Sequence, residues 1–263
     1  MNTISIDSDK CRKDEICMEE CPFNLLVDGG DGIPTPVEAA GEMCVNCGHC
    51  VAICPGDAIA VNGMTAEDCD EVDPAKAVSA EQVEQLFRSR RSVRVYKDEP
   101  VERETLERLL DMARWAPTAR NKQPVHWLVL TDRDEIAELS RMVASWLREV
   151  GRYLPIADAV DKGKDMVNRD APCLLIAHAG PDALKPVEDC SIALTTIEAA
   201  APAFGLGACW GGLFMAAAQN CEPLRDRLNL PEGHTVYGAL MLGRPKFRFR
   251  RIPPREAVKV TWR

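Results

Sequence analysis

The segment Cys44-Val-Asn-Cys47-Gly-His-Cys50-Val-Ala-Ile-Cys54-Pro55 constrains this chain more than any other feature. It is C-x2-C-x2-C-x3-C-P without a mismatch, and the spacing has a mechanical reason. Three closely spaced thiolates wrap three corners of one iron–sulfur cubane. The fourth, just before a proline that turns the chain away, reaches a second cluster. A zinc site needs two CxxC pairs separated by a longer loop, or histidines at ligand spacing, and the segment has neither.

An earlier segment reads Cys11-Arg-Lys-Asp14-Glu-Ile-Cys17-Met-Glu-Glu-Cys21-Pro22. On the same template Cys11, Cys17 and Cys21 take positions one, three and four, and Asp14 takes position two. Residues 4–62 therefore resemble a bacterial two-cluster ferredoxin with one cysteine replaced. The crossing rule of that family implies one cluster on Cys44, Cys47, Cys50 and Cys21. It implies another on Cys11, Cys17 and Cys54, with Asp14 open to three readings. Asp14 ligates iron through a carboxylate oxygen, or it stands aside and leaves an open iron position or a three-iron cluster. In the third reading it is a solvated loop acid beside a cluster completed by something else. His49 reads as a neighbour that packs near a cluster and tunes it, not as a ligand.

Seven of the twelve cysteines precede Pro55, which argues against both a disulfide framework and scattered buried thiols. Charge is as uneven. Residues 1–79 hold 16 acidic and 4 basic side chains, against 25 and 28 in the remainder. So sharp a shift marks a domain boundary near Asp73-Pro74, and the expected domains are 1–75 and 79–263. The acidic half excludes nucleic acid as its partner. Met1 to Lys10 has no apolar run and does not read as a signal peptide. The most apolar stretch, Ser191 to Ala218, is broken by Glu198, Pro202 and glycines and reads as a buried helix and loop, not a membrane span. The expected location is cytoplasmic.

Few apolar residues surround the cysteines, so the first domain needs its clusters as staples. The paired patterns predict a pseudo-twofold repeat of strand, cluster loop and helix. From Ser79 onward the pattern changes. Ser79-Ala-Glu-Gln82 is a capping box before Val83, Leu86 and Phe87. Helices are predicted over 103–114, 135–149 and 187–204, and strands over 125–131, 173–177 and 236–242. The fold class is α+β, a sheet sandwiched by helices. Trp115 and Trp127 read as core, His126 and His178 as structural, His234 as solvated, and Cys209 as a small packing residue.

Three segments carry chemistry. Arg90-Arg91-Ser92-Val93-Arg94 offers forked guanidiniums and a hydroxyl to a phosphate. Pro117-Thr118-Ala119-Arg120-Asn121-Lys122-Gln123-Pro124 carries amides suited to a heterocycle's edge. Gly205-Leu-Gly-Ala-Cys-Trp210-Gly211-Gly212-Leu213 reads as a turn whose glycines let backbone N–H groups approach a flat ligand. In this order they resemble the nitroreductase family of FMN proteins over residues 80–253. The resemblance implies that Arg90, Arg91, Ser92 and Arg94 hold the phosphate and ribityl chain. It implies that Asn121 and Gln123 contact the flavin, and that Pro117, Thr118 and Ala119 approach it from the partner of a homodimer. Trp210, Gly211, Gly212 and Leu213 would lie beside the isoalloxazine. One or two of Arg248, Arg250 and Arg251 would reach the phosphate, and the tail 257–262 would pack across the partner. Many relatives have an acidic residue in the turn that holds Gly212, so its contact to N5 would be main chain only. The segment 149–172 reads as short and charged.

The two resemblances together imply an iron–sulfur domain followed by an FMN-dependent nitroreductase-like α+β sandwich. Electrons would pass from the clusters to FMN and on to a small acceptor such as a nitroaromatic, quinone or activated alkene. A protein donor, another ferredoxin or a reductase, would fill the clusters. No side chain reads as a catalytic acid or base; flavin N5 would carry the chemistry. Two alternatives stand beside this: a flavoprotein reduced directly by NAD(P)H, and an electron-transfer protein whose acceptor is another protein.

Overall fold

The computed structural model describes residues 4–263; Met1 to Thr3, the start of the stretch read as lacking a signal peptide, lie outside the described residues. The chain divides into two compact units, Met1–Ala77 and Val78–Arg263.

In the first unit β1 (Ile4–Ile6) leads to α1 (Ile16–Glu20), β2 (Leu26–Asp28) and β3 (Pro34–Pro36). Then come α2 (Ala40–Met43), α3 (His49–Ile53) and β4 (Ile59–Val61). β1 pairs with β4 and β2 with β3, both antiparallel. The repeat expected from the cysteine pattern is visible in the backbone. Lys13, Glu15 and Asn24 are left-handed, with φ of 58°, 63° and 50°; Asn46, Gly48 and Asp57, at the equivalent places, have φ of 54°, 74° and 51°. Each helix starts directly after such a residue, which reverses the chain so that the motif's side chains turn inward. The fully buried apolar cluster here is small: Cys17, Leu26, Val51, Ile59 and Val61.

The second unit opens with α4 (Ala80–Ser89), whose predicted capping box is present with Ser79 and Gln82 bonded reciprocally. It continues through α5 (Arg103–Ala113), β5 (His126–Leu130), α6 (Arg133–Glu149), α7 (Leu154–Asp161), β6 (Cys173–Ala179) and α8 (Pro186–Ala200). The last elements are β7 (Gly207–Trp210), α9 (Gly212–Asn220), α10 (Glu222–Leu228) and β8 (Thr235–Gly243). The four strands form one antiparallel sheet in the order β5-β6-β8-β7. Alternation along β6 builds two cores. Leu174 and Ile176 face one apolar cluster with residues of α6, α9 and α10. Cys173, Leu175 and Ala177 face the other, with residues of α5 and α8. A sheet buried on both faces explains why β6 reads as an unbroken apolar run.

Four expectations are corrected. The glycine-rich segment is not a turn throughout: Gly205, at φ 70°, stops the preceding 3-10 turn, and 207–210 is then an edge strand. Gly207 lies so close to Val93 that an added Cβ would meet its Cγ2 at 2.3 Å. Residues 149–172 hold the helix α7 and are not merely a charged connection. Trp115 is 70% exposed rather than core. His234 is half-buried, against His178 and His126. Among the described residues no helix is long and apolar enough to cross a membrane; the apolar stretch 191–218 is divided among α8, the 3-10 turn, β7 and α9.

Candidate functional site

The eight predicted metal-site residues fall into two groups. Cys21, Cys44, Cys47 and Cys50 all line one cavity, walled by Ile4, Phe23, Leu25, Leu26 and Val61. Cys17 has Cys54, Asp14 and Cys11 as its electrostatic neighbours; burial first, then these groups, raises its thiol pKa. Each motif's fourth cysteine is thus grouped with the other motif's first three positions. Burial and then Cys47 and Cys44 push the Cys50 thiol up to about 11. Thiols so crowded resist ionising together unless iron neutralises them, which is the donor chemistry of a cluster. The sulfurs of Cys21 and Cys54 each accept a backbone N–H from four residues on, Leu25 and Ala58, at 3.4 Å. Such bonds favour the thiolate that a cluster requires.

Asp14 accepts a long bond from the Ile16 N–H, 3.3 Å, at the start of α1. His49 is at the edge of the same cavity as Cys47 and Cys50, largely exposed, with its Nδ1 3.3 Å from Glu20. Among the described residues no three His, Cys, Asp or Glu side chains converge on a position for a single ion. A tetrahedral zinc would hold its sulfurs roughly 3.8 Å apart, given bonds of about 2.3 Å.

In the second unit a cavity of about 550 Å3 opens beside β7 and the first turn of α9. That volume suits a cofactor-sized ligand. Of the sequence-predicted residues it is lined by Arg94, Trp210, Gly212 and Leu213. Trp146, Arg152, Tyr153, Met166, Val167 and Arg169 also line it, and sequence reading missed these. They come from α6, α7's approach and the loop before β6, where mixed composition hid the structure. The loop is tied down by Asp165. One of its oxygens accepts the N–H groups of Val167 and Asn168 at 2.8 and 2.9 Å, and the other accepts the Ser140 hydroxyl at 2.8 Å. Asn168 in turn donates to Ser140 at 2.9 Å. Arg169, left-handed at φ 61°, is thereby held against the cavity.

The arginine segment runs beside β7, with the Val93 N–H donating to the Ala208 carbonyl at 2.9 Å. Arg90 spends a donor on Glu198 of α8, 2.9 Å, and the same carboxylate accepts the Trp210 indole N–H at 3.2 Å. Arg91 has a buried Nε without a hydrogen-bond partner. Ser92 hydrogen-bonds Cys209, whose thiol pKa is raised by burial against the opposing pull of Arg94 and Arg169. On its other side the segment meets residues 244–246: Lys97 N–H donates to the Arg244 carbonyl and Lys246 N–H to that of Val95. Beyond them Arg248, Arg250 and Arg251 are exposed.

The amide segment lies apart from this cavity within the protomer. Ala119 N–H donates to buried Asp189 at 3.0 Å, and Gln123 N–H donates to the Thr118 hydroxyl at 3.0 Å. Arg120, Asn121 and Gln123 are all left-handed, so the loop is tightly coiled around Thr118. Pro117, Thr118, Ala119, Asn121 and Gln123 therefore do not join Arg94 and Trp210 within one copy of the chain.

The residues present fit a flavin phosphate. Arg91 has an orphaned donor, Arg94 faces the cavity, and a Cβ at Gly212 would meet nothing within 4 Å. Gly212 opens α9, whose first N–H groups lack intrahelical acceptors.

Comparison with known proteins follows the same division. The model of the 4Fe-4S dicluster domain matches residues 3–55, and that of the nitroreductase family matches residues 87–244. A protein of Archaeoglobus fulgidus, provisionally named an NADH dehydrogenase/NAD(P)H nitroreductase, is 31% identical over 166 residues, covering 61% of this chain and 84% of its own. A Bacillus subtilis protein named FMN reductase [NAD(P)H] is 28% identical, over 64% of this chain and 68% of its own. A crystal structure of a nitroreductase with bound FMN from Bacteroides fragilis shares the fold, with TM-score 0.61 and 22% identity, over 69% of this chain and 98% of its own. With its family model matched across more than half its length, the chain belongs to the nitroreductase family.

Proposed function

We propose that this chain is an iron–sulfur flavoprotein that reduces a small acceptor, with two clusters feeding FMN. The observation that carries the reading is the sorting of the eight metal-site residues of the first unit into two crossed groups, together with an arginine-lined cavity within the second, nitroreductase unit. When bound, the clusters supply one-electron steps and FMN supplies the exchange between one- and two-electron reduction.

The chain's own residues bind and orient. Cys21, Cys44, Cys47 and Cys50 hold one cluster; Cys11, Cys17 and Cys54 hold the other, with Asp14 beside it. Arg91 and Arg94 carry the phosphate and flavin anion, joined by Ser92 and the donors Arg90 keeps after its bond to Glu198. One or two of Arg248, Arg250 and Arg251 complete the phosphate site. Trp210, fixed by Glu198, walls the cavity, and Gly212 and Leu213 offer main-chain N–H groups, whereas the Gly211 N–H is bonded to the Ala239 carbonyl at 2.8 Å. Pro117, Thr118, Ala119, Asn121 and Gln123 act from the second copy of a homodimer. The acceptor class is a nitroaromatic, quinone or activated alkene, and the donor is a small electron-transfer protein.

Anaerobic purification with iron, sulfide and flavin quantified tests the cofactor content. About eight irons per flavin supports two complete cubanes and about seven a three-iron cluster beside Asp14. Asp14→Cys should then raise seven to eight and abolish the three-iron EPR signal. Dithionite-reduced protein should be reoxidised by nitro compounds or enones. Reduction of the flavin by NAD(P)H as fast as by a reduced ferredoxin would instead make NAD(P)H the donor, and a preparation without iron or flavin would end the reading.

A further inference from the structure

Three of the four histidines in this chain meet at one end of the second unit's sheet, outside the arginine-lined cavity. His126 and His178 are direct cross-strand partners on β5 and β6. His234 comes from the Pro231-Glu-Gly-His turn that enters β8, and its Nδ1 stands 2.8 Å from the Nδ1 of His178. The ring centroids are 4.8, 5.0 and 5.6 Å apart. We propose that His126, His178 and His234 form a site for a divalent transition-metal cation of the zinc class, pinning β5, β6 and the turn before β8 together.

The spacing carries the argument. Tetrahedral bonds of 2.0–2.1 Å would place ligating nitrogens roughly 3.3 Å apart and imidazole centroids roughly 5 Å apart. The three rings already have that separation. Their nitrogens do not yet surround one point. The His178–His234 contact must open by about half an ångström, and the exposed His126 ring must rotate about its side-chain bonds. Without a cation one hydrogen bond joins His178 to His234, and His126 adds an edge contact to His234, 84° between planes. A cation would use all three lone pairs.

Three imidazoles without thiolate or a carboxylate ligand suit zinc, copper or nickel and not the hard cations.

The test uses the intact, cluster-loaded protein and zinc chloride as the probe. Equilibrium dialysis measures zinc bound per chain, with iron and flavin content followed in the same samples. Wild type should bind one zinc above background. His126→Ala and His234→Ala should each weaken that binding by about 100-fold or more, exceeding the loss of an outer-shell partner, with iron and flavin unchanged. Should either alanine variant lose iron or flavin, His126→Gln at the exposed strand position repeats the comparison. Zinc binding that is absent in wild type, or equal in wild type and variants that retain iron and flavin, overturns the site. The outcome is independent of the flavin reading, because the three histidines lie outside that cavity.

Discussion

The two units solve the folding problem by opposite means. The second encloses a sheet between two apolar clusters, with Phe214, Leu109, Leu194 and Leu240 wholly buried. The first has five buried apolar residues in its cluster, one of them a cysteine, and strands of three residues. Hydrophobic burial at about 25 cal/mol per Å2 cannot offset chain entropy for so thin a core. The lesson is that thiolate–iron bonds in the first unit stand where side-chain packing stands in the second.

The largest effect expected from that contrast comes from removing iron. Chelation with oxidation should unfold residues 4–77 and leave the second unit folded. Hydrogen exchange read by mass spectrometry is the check: amides of α1 and α3 should lose protection while those of β6 keep it. Protection in α1 and α3 that survives iron loss would mean the small core suffices, and the contrast would fail.

The converse change is smaller. Phe214 lies on α9 with no exposed surface, among Leu147, Leu174 and Met241 of one apolar cluster. Phe214→Ala should lower the stability of the second unit by about 3–5 kcal/mol through lost transfer energy and a cavity. Iron per chain should stay at the wild-type value. Urea titration followed by tryptophan fluorescence, with iron assayed in the same samples, separates the units. Iron lost in step with the fluorescence change would show that the first unit leans on the second.

How far each unit was legible in the sequence follows from the same contrast. The cysteine spacing is local, so the ferredoxin resemblance, which implies the crossed grouping of Cys21 and Cys54, could be read before any fold was known. The strands expected at 173–177 and 236–242 were equally clear and run over 173–179 and 235–243, since a sheet buried on both faces leaves little polar alternation to confuse. Residues 149–172 were not legible. α7 is short, and the loop holding Arg169 is fixed by Asp165 through bonds to backbone and to the distant Ser140. The histidine trio was hidden for another reason: positions 126, 178 and 234 meet only through the strand order β5-β6-β8, a non-local fact. Trp115 misled because an aromatic near a helix end was read as core, although it lies exposed beneath the Arg114 guanidinium.

The smallest expected effect tests the internal symmetry of the first unit. Glu15 and Gly48 occupy equivalent left-handed positions before α1 and α3, at φ 63° and 74°. A non-glycine residue there costs about 1–2 kcal/mol, and glycine returns about 0.5–1 kcal/mol of that through its larger unfolded-state entropy. Glu15→Gly should therefore stabilise the cluster-loaded unit by about 0.5–1 kcal/mol. Gly48→Ala should destabilise it by more than this, since the new Cβ is strained and would also meet Met64 Sδ at 2.8 Å. The urea midpoint for bleaching of the iron–sulfur absorbance, measured for both variants, reads the two effects on one scale. A lower midpoint for Glu15→Gly would mean that the Glu15 carboxylate contributes more than its backbone costs, and the two halves would then be symmetric in shape but not in energy.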